Sequence, residues 1–468
     1  MSTTRLSALD STFIFGESQR IPLHVGGLSV LEAEPLLDSE GHLDIEGVRA
    51  RISERLHLVP RFRQKLVHVP FDQGRPVWAD DESFNIDNHV HLTALPRPGS
   101  RGQLYALMGR LQSIQMNRTR PLWEMWFVEG VDGGKQVGLI TKIHHAMVDG
   151  RSGVELGTLL FDLTREGADI VPEPWEPRPT PSAASLLARA VSDRVSDGIR
   201  RSKKLADAVR NPAKPLGHLN NFVRALDTMA GEIESLNFNQ RVSSLRNFQS
   251  VILPLDEVLA AKRAYGVTVN DIVLAGVTGA LRRYCSHRGL DPSRIERVKA
   301  IVPVDIREEG DTEMGTKVAS LIVDLPVAIH DPMERVERIH LHSQDLKASN
   351  QADGTKMWAR VTSLMPVPLL RVGSLLQFRG LMKGTNLLLS NVRGPETAFY
   401  CNGAEVKEFV PYFGPQDYVG LNVTVFSYNG KLQIGLASDP QLMPDLGVFA
   451  DSVRKSFAEL SNLAESIC

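Results

Sequence analysis

The sequence predicts an α/β protein of two lobes, and three observations support this. Its 468 residues exceed the length at which one hydrophobic core keeps growing, which points to two domains of roughly 200 residues each. Each half mixes apolar residues at helical spacing with alternating aromatic and β-branched runs. Each half also carries a hairpin signal, Asp132-Gly133-Gly134 in the first and Asn429-Gly430 in the second. No repeat is visible in the sequence itself.

Taken in order, Val48, Ile52, Leu56 and Leu58 give a helical pattern within Ile45 to Val67, and Leu104, Leu107, Leu111 and Ile114 give another within Gly102 to Gln115. The run "LWEMWFVEGVDGGKQVGLITKIHH" reads as two strands joined by a tight turn, so His144 and His145 fall at the end of the second strand. Val154, Leu156, Leu159, Leu160 and Phe161 then suggest a helix packing back on the sheet. Five prolines between Pro172 and Pro181 exclude a helix or a central strand, and the chain is expected to cross between domains there.

Residues 185 to 230 read as helical and basic, either a solvated face or a surface attracted to anionic lipid or to an acidic cosubstrate. In the second half, one helix is expected to end near Gly266 and another to begin at Thr268 or Asn270. "VKAIVPVDIR" and "TNLLLSNVRGP" read as strands, the Asn429-Gly430 hairpin follows, and Val448, Phe449, Val453, Phe457 and Leu460 place a final helix at the end. The resulting division is an N-terminal lobe over 1–180, a proline-rich then basic connection over 181–245, and a C-terminal lobe over 246–468.

Composition narrows the function classes. Apolar residues make up 42%, charged residues 23%, and the net charge is −2, which favours neither disorder nor a nucleic-acid partner. Cys285, Cys401 and Cys468 lie far apart, giving neither a disulfide framework nor CxxC metal spacing, so a reducing, cytoplasmic location is expected. The N-terminal residues lack a secretory pattern, and no stretch of about 18 apolar residues occurs, which leaves peripheral contact with an inner membrane or lipid inclusion as the expected form of membrane association.

The segment "HHAMVDG", His144 to Gly150, concentrates chemistry-bearing residues. Adjacent strand residues point to opposite faces, so both histidines cannot easily grip one ion, and no further ligand cluster accompanies them. No metal is expected. One reading packs one histidine in the core, with Asp149 capping the next helix. The other makes one imidazole a general base near neutral pH, with the aspartate bracing the loop.

The motif HHxxxDG resembles the signature of the CoA-dependent acyltransferase superfamily, which includes chloramphenicol acetyltransferase and the condensation domains of peptide synthetases. "LSALDSTFIFGES", "HVGGLSVLE", "RPLWEMWFVEG", "NDIVLAGVTGALRRY", "LLLSNVRGP" and "GLNVTVFSYNGKLQIGLASD" are similar to the bacterial wax ester synthase/diacylglycerol acyltransferase family over nearly the entire chain.

This resemblance implies two chloramphenicol-acetyltransferase-like lobes with a channel between them. It also implies transfer of an acyl group from acyl-CoA to diacylglycerol or a long-chain alcohol, without a tightly bound cofactor. His145 takes the role of general base, supported by His144. Asp149 becomes a structural brace paired with Arg307, and Gly150 allows a tight turn. Asn270 is a candidate oxyanion donor at a helix head or simply part of its cap, with Asp271 supporting the helix start. Trp123 is a core anchor for the hairpin or a substrate contact, and Ser390 and Asn391 line the channel or cap a loop. Another lipid hydroxyl as acceptor, or a non-catalytic lipid-binding role, stays open, as does the oligomeric state.

Overall fold

A computed structural model describes residues 4–147, 157, 160–192, 232–305, 318–348 and 382–467. Asp149, Gly150 and Arg307 lie outside the described residues, as do most of the basic 185–230 segment and the helix expected after Gly150.

Two six-stranded sheets form the frame, in the orders β12 (Tyr400–Cys401), β13 (Ala404–Phe413), β2 (His24–Glu32), β7 (Gln136–His144), β6 (Trp123–Val131), β5 (Val90–Ala94) and β10 (Val318–Leu325), β9 (Val298–Asp305), β11 (Leu387–Arg393), β14 (Leu421–Tyr428), β15 (Lys431–Ser438), β8 (Asn247–Pro254). In the first, β2 (His24–Glu32), β6 (Trp123–Val131) and β7 (Gln136–His144) run antiparallel, and β5 (Val90–Ala94) lies parallel to β6 at the edge. In the second, β11 (Leu387–Arg393) is parallel to both neighbours, β9 (Val298–Asp305) and β14 (Leu421–Tyr428). A small sheet of β1 (Thr4–Arg5), β4 (Val77–Asp80) and β3 (Gln64–Val67), in that order, belongs to the N-terminal part. The hairpin from β14 to β15 (Lys431–Ser438) closes through Asn429 and Gly430, both at positive φ, the conformation the Asn-Gly pair suits.

The helices follow local signals. α1 (Ala8–Gly16) is capped by Ser7, and α2 (Ile45–Arg55) by Asp44. α3 (Arg101–Ser113) starts with a Ser100/Gln103 capping box. α4 (Leu255–Tyr265) ends at left-handed Gly266. α5 (Val269–His287) starts with a Thr268/Asp271 capping box, α6 is Pro332–Ala348, and α7 (Leu446–Ile467) closes the chain. No single described helix is long and apolar enough to cross a membrane.

The structure corrects three expectations. The helical pattern over Ile45 to Val67 holds only to Arg55. Pro60 disfavours helix for Val59, and short 3₁₀ turns lead into β3 (Gln64–Val67). The proline-rich segment does not simply span between domains but is tied to the N-terminal lobe. Arg178 grips the Asp80 carboxylate at 2.9 and 3.0 Å, Trp175 packs against Phe84, and the Arg63 guanidinium lies 4.9 Å from the Trp175 ring centre. The Arg178 hydrogen bonds hold the Asp80 carboxyl down at about 2.

The third correction concerns the C-terminal lobe. β12 (Tyr400–Cys401) and β13 (Ala404–Phe413) fall in the stretch assigned to it, yet both run in the N-terminal sheet, where β13 pairs with β2. This exchange joins the lobes. Thr424 donates to the Pro411 carbonyl at 2.8 Å, Asn422 to the Gly414 carbonyl at 2.6 Å, and the Phe409 N–H to Gln433 at 2.8 Å. Gly435 permits the approach, since a Cβ there would sit 2.0 Å from the Pro411 carbonyl oxygen.

Candidate active site

The register of β2 with β7 sets opposite surroundings for the two motif histidines. His144 faces His24 across the strands, with ring centres 6.3 Å apart, and is fully buried. His145 begins the turn that follows, held by its N–H donating to the Leu23 carbonyl at 2.9 Å. Its imidazole stacks on Phe13 at 3.8 Å and 22°, with the Phe413 ring 5.9 Å away in an edge orientation. Phe413 comes from β13, so the lobe exchange supplies one wall around this imidazole.

His145 remains partly exposed, while its Nδ1 is enclosed without a hydrogen-bond partner among the described residues. Burial pushes its pKa down to about 4, with the neighbouring His144 acting in the same direction. The ring is neutral at physiological pH.

Behind His145 lies a polar cluster that the sequence reading missed. The Glu17 carboxylate, 1% exposed, accepts from Gln115 at 2.7 Å, from Arg118 Nε at 3.0 Å and from the Leu23 N–H at 3.2 Å. Its two oxygens lie 3.5 Å from His24 Nε2 and His144 Nε2. Burial would raise the Glu17 pKa, but His144, His24 and Arg118 outweigh it and hold the carboxyl well below its usual range. His144 Nδ1 accepts the Ala146 N–H at 3.0 Å, which places the proton of the neutral ring on Nε2, toward Glu17. These residues come from separate segments at no diagnostic spacing; the β2–β7 register brings His24 to His144, and the packing of the segments after α1 and α3 brings Glu17, Gln115 and Arg118 to both.

On the C-terminal side, Asn270 occupies the first turn of α5, where main-chain N–H groups have no partner within the helix. Asn391, on β11, donates to the Asn270 side-chain oxygen at 3.5 Å, and Ser390 precedes it on the same strand. Asp271 is buried in the capping box and also accepts from His340 on α6 at 2.8 Å, a partner the sequence reading did not include. Trp123 has no exposed surface, donates to the Phe62 carbonyl at 2.8 Å and stacks with His89 at 4.5 Å. That position makes it a core anchor and removes it from the substrate-contact group. The structure thus gathers His144 with His145 and Asn270 with Asn391, and no hydrogen bond or ring contact joins these two groups among the described residues. Nor do the described residues contain a group of three or more metal-binding side chains poised around one point.

The insertion of β12 and β13 into the N-terminal sheet and the histidine-ended strand define a two-lobed acyltransferase-type fold. A solved wax ester synthase/diacylglycerol acyltransferase from Marinobacter aquaeolei VT8 superposes with a TM-score of 0.71 at 24% identity, covering 99% of this chain and 100% of that one. The first condensation domain of the calcium-dependent antibiotic synthetase, solved with a substrate analogue, gives 0.59 at 16% identity, covering 98% and 96%.

The family description "wax ester synthase/diacylglycerol acyltransferase catalytic domain" matches residues 6–273, and its C-terminal domain matches 314–461. Two Mycobacterium tuberculosis (strain CDC 1551 / Oshkosh) proteins, both provisionally named diacylglycerol O-acyltransferases, are similar along nearly their whole length. One is 31% identical over 97% of this chain and 90% of its own, and the other, tgs1, is 27% identical over 97% and 95%. The chain belongs to the wax ester synthase/diacylglycerol acyltransferase family.

Proposed function

We propose that this protein transfers a fatty acyl group from acyl-CoA to the hydroxyl of diacylglycerol or of a long-chain alcohol, giving triacylglycerol or wax ester and free CoA. The observation that carries the reading is His145, a neutral, partly accessible imidazole at the end of β7, stacked on Phe13. In this reading Nε2 takes the proton from the acceptor hydroxyl as its oxygen attacks the thioester carbon. The tetrahedral oxyanion then collapses, the C–S bond breaks, and the imidazolium returns its proton to the departing thiolate. No acyl-enzyme forms.

The supporting roles follow from position. His144, clamped between Glu17 and the Ala146 N–H, holds the strand end beneath His145. Asn270, fixed by Asn391 at the head of α5, is the candidate donor to the oxyanion. The roles of Asp149 and Arg307 as a bracing pair and of Gly150 as the turn residue rest on the family likeness alone. Acyl-CoA acts as a cosubstrate, and the enzyme works in the cytoplasm or at the surface of a membrane or lipid inclusion. The family likeness carries these last statements.

The test is thiol release from palmitoyl-CoA with and without an added acceptor, across a panel of fatty alcohols and diacylglycerols. Release that needs the acceptor and disappears in His145→Ala, with the fold intact by circular dichroism, is the expected result. Binding of the thioester without release under any acceptor would sink the enzyme reading.

A further inference from the structure

The head of α5 is held from two sides, and one of the contacts is not needed for its cap. Within the capping box the Asp271 carboxylate accepts from the Thr268 N–H at 3.0 Å and from the Thr268 hydroxyl at 2.8 Å, while the Asp271 N–H donates to that hydroxyl at 3.2 Å. These local bonds complete the helix start by themselves. The same carboxylate oxygen nevertheless takes a third donor from a distant element, His340 Nδ1 on α6, at 2.8 Å.

The ring that supplies this donor is itself fixed. Gln344, one turn further along α6, donates its side-chain amide to His340 Nε2 at 2.8 Å. With Nε2 accepting, the ring proton sits on Nδ1, toward Asp271. Val336 and Ile339 on α6 are buried in one apolar core with Ile272 and Val273 of α5, so the backbone carrying His340 stays against the helix head.

Burial raises the Asp271 pKa, but the His340 and Thr268 hydrogen bonds outweigh it and hold the carboxyl below its usual range. An ionised carboxylate therefore stands one residue from Asn270. Consecutive helical side chains leave the axis roughly 100° apart. Here they diverge, Asp271 toward His340 on α6 and Asn270 toward Asn391 on β11. The Asn391 contact, at 3.5 Å, is at the long end of hydrogen bonding, so the direction of Asn270 depends chiefly on how the helix head is held. A carboxylate free to turn at this head would repel a developing oxyanion, and three donors on one oxygen keep it directed at Thr268 and α6.

We infer that His340 is a positioning residue for the acyl transfer: its Nδ1–H pins the Asp271 carboxylate to the Thr268 cap, so that the head of α5 offers Asn270 to the reacting carbonyl oxygen in one orientation. The inference rests on the oxyanion role given to Asn270 above.

Thiol release from palmitoyl-CoA with hexadecanol as acceptor tests this, alongside a melting curve for each variant. His340→Leu fills the space without a donor and should lower kcat about tenfold at unchanged KM for both substrates, because a small misplacement of a reacting group has effects of that order. His340→Asn carries an amide N–H near the position of Nδ1 and should recover most of the rate. In an Asn270→Ala background His340→Leu should add no further loss, since the group it positions is gone. Full kcat in His340→Leu, or a loss that His340→Asn does not recover, overturns the positioning role. So does an undiminished loss in the double variant when Asn270→Ala is itself slow. The two readings separate cleanly: a slow Asn270→Ala beside a full-rate His340→Leu keeps the oxyanion donor and removes His340. A full-rate Asn270→Ala beside a slow, Asn-rescued His340→Leu instead removes Asn270 and leaves His340 positioning the main-chain N–H groups of α5. Nitrogen-15 NMR of histidine-labelled wild type adds a check that no misfolded variant can spoil. His340 should show the Nδ1–H tautomer, and a proton on Nε2 would overturn the inference.

Discussion

Phe13 lies 3.8 Å from the imidazole of His145 and nearly parallel to it, so α1 reaches across to cover the ring that ends β7. Together with burial, this stack keeps His145 neutral. The rate term kcat/KM should therefore stay level from pH 8 down to pH 5 and fall only as pH nears 4. Phe13→Ala admits water to the ring and should move that acid limb upward toward 6.5. A profile unchanged by the substitution would detach Phe13 from the tuning of the base.

Acid should weaken the fold in a definable window. Burial lowers His24, His89 and His145 to about 4 from an ordinary 6.5. Between these values the unfolded chain binds protons that the folded chain refuses, so stability falls as pH falls, by about 1.4 kcal/mol per pH unit for each histidine. Glu17 and Asp80 have lowered carboxyl pKa values, so their contribution is present above the usual carboxylate range and is lost only below it. Melting temperature followed from pH 7 to pH 4 should already decline above pH 5, and a flat curve down to 4.5 would contradict the buried neutral histidines.

Glu17→Gln keeps the shape of the side chain but removes the charge that Arg118 meets and that orients the His144 proton. It should lower kcat more than it alters KM for the acceptor, because His145 is displaced while the binding surfaces remain. Glu17→Ala should in addition destabilise by a few kcal/mol, somewhat less than a fully buried pair because Arg118 is about one-third exposed. Equal kcat in wild type and Glu17→Gln would leave the cluster with a packing role alone.

Gly435→Ala places a methyl group 2.0 Å from the Pro411 carbonyl at the seam between lobes. Crowding of this kind typically costs roughly 1–3 kcal/mol, and here it pushes on β13, which carries Phe413. Both melting temperature and turnover should fall. Loss of stability with turnover unaffected would show that the exchange strand does not position the site.

Asn270→Ala removes the candidate oxyanion donor without disturbing the Thr268/Asp271 cap. The expected effect is a drop in kcat of about 10²-fold with the melting temperature held within a degree or two. An unchanged kcat would return Asn270 to a purely capping role.

The sequence by itself determined the local elements. Apolar spacing, the Asn-Gly turn, the Thr268 cap and Gly266 are short-range instructions, and α4, α5, α7 and both hairpins obey them. The motif also located His144 and His145 at a strand end, because alternation and the following turn act within a few residues. Long-range register lay beyond such reading. The insertion of β13 beside β2, the meeting of Glu17 with His24 and His144, and the enclosure of Trp123 all join residues far apart in the chain. Pairing energy between distant strands depends on which faces pack together, and only the folded chain brings those faces into contact.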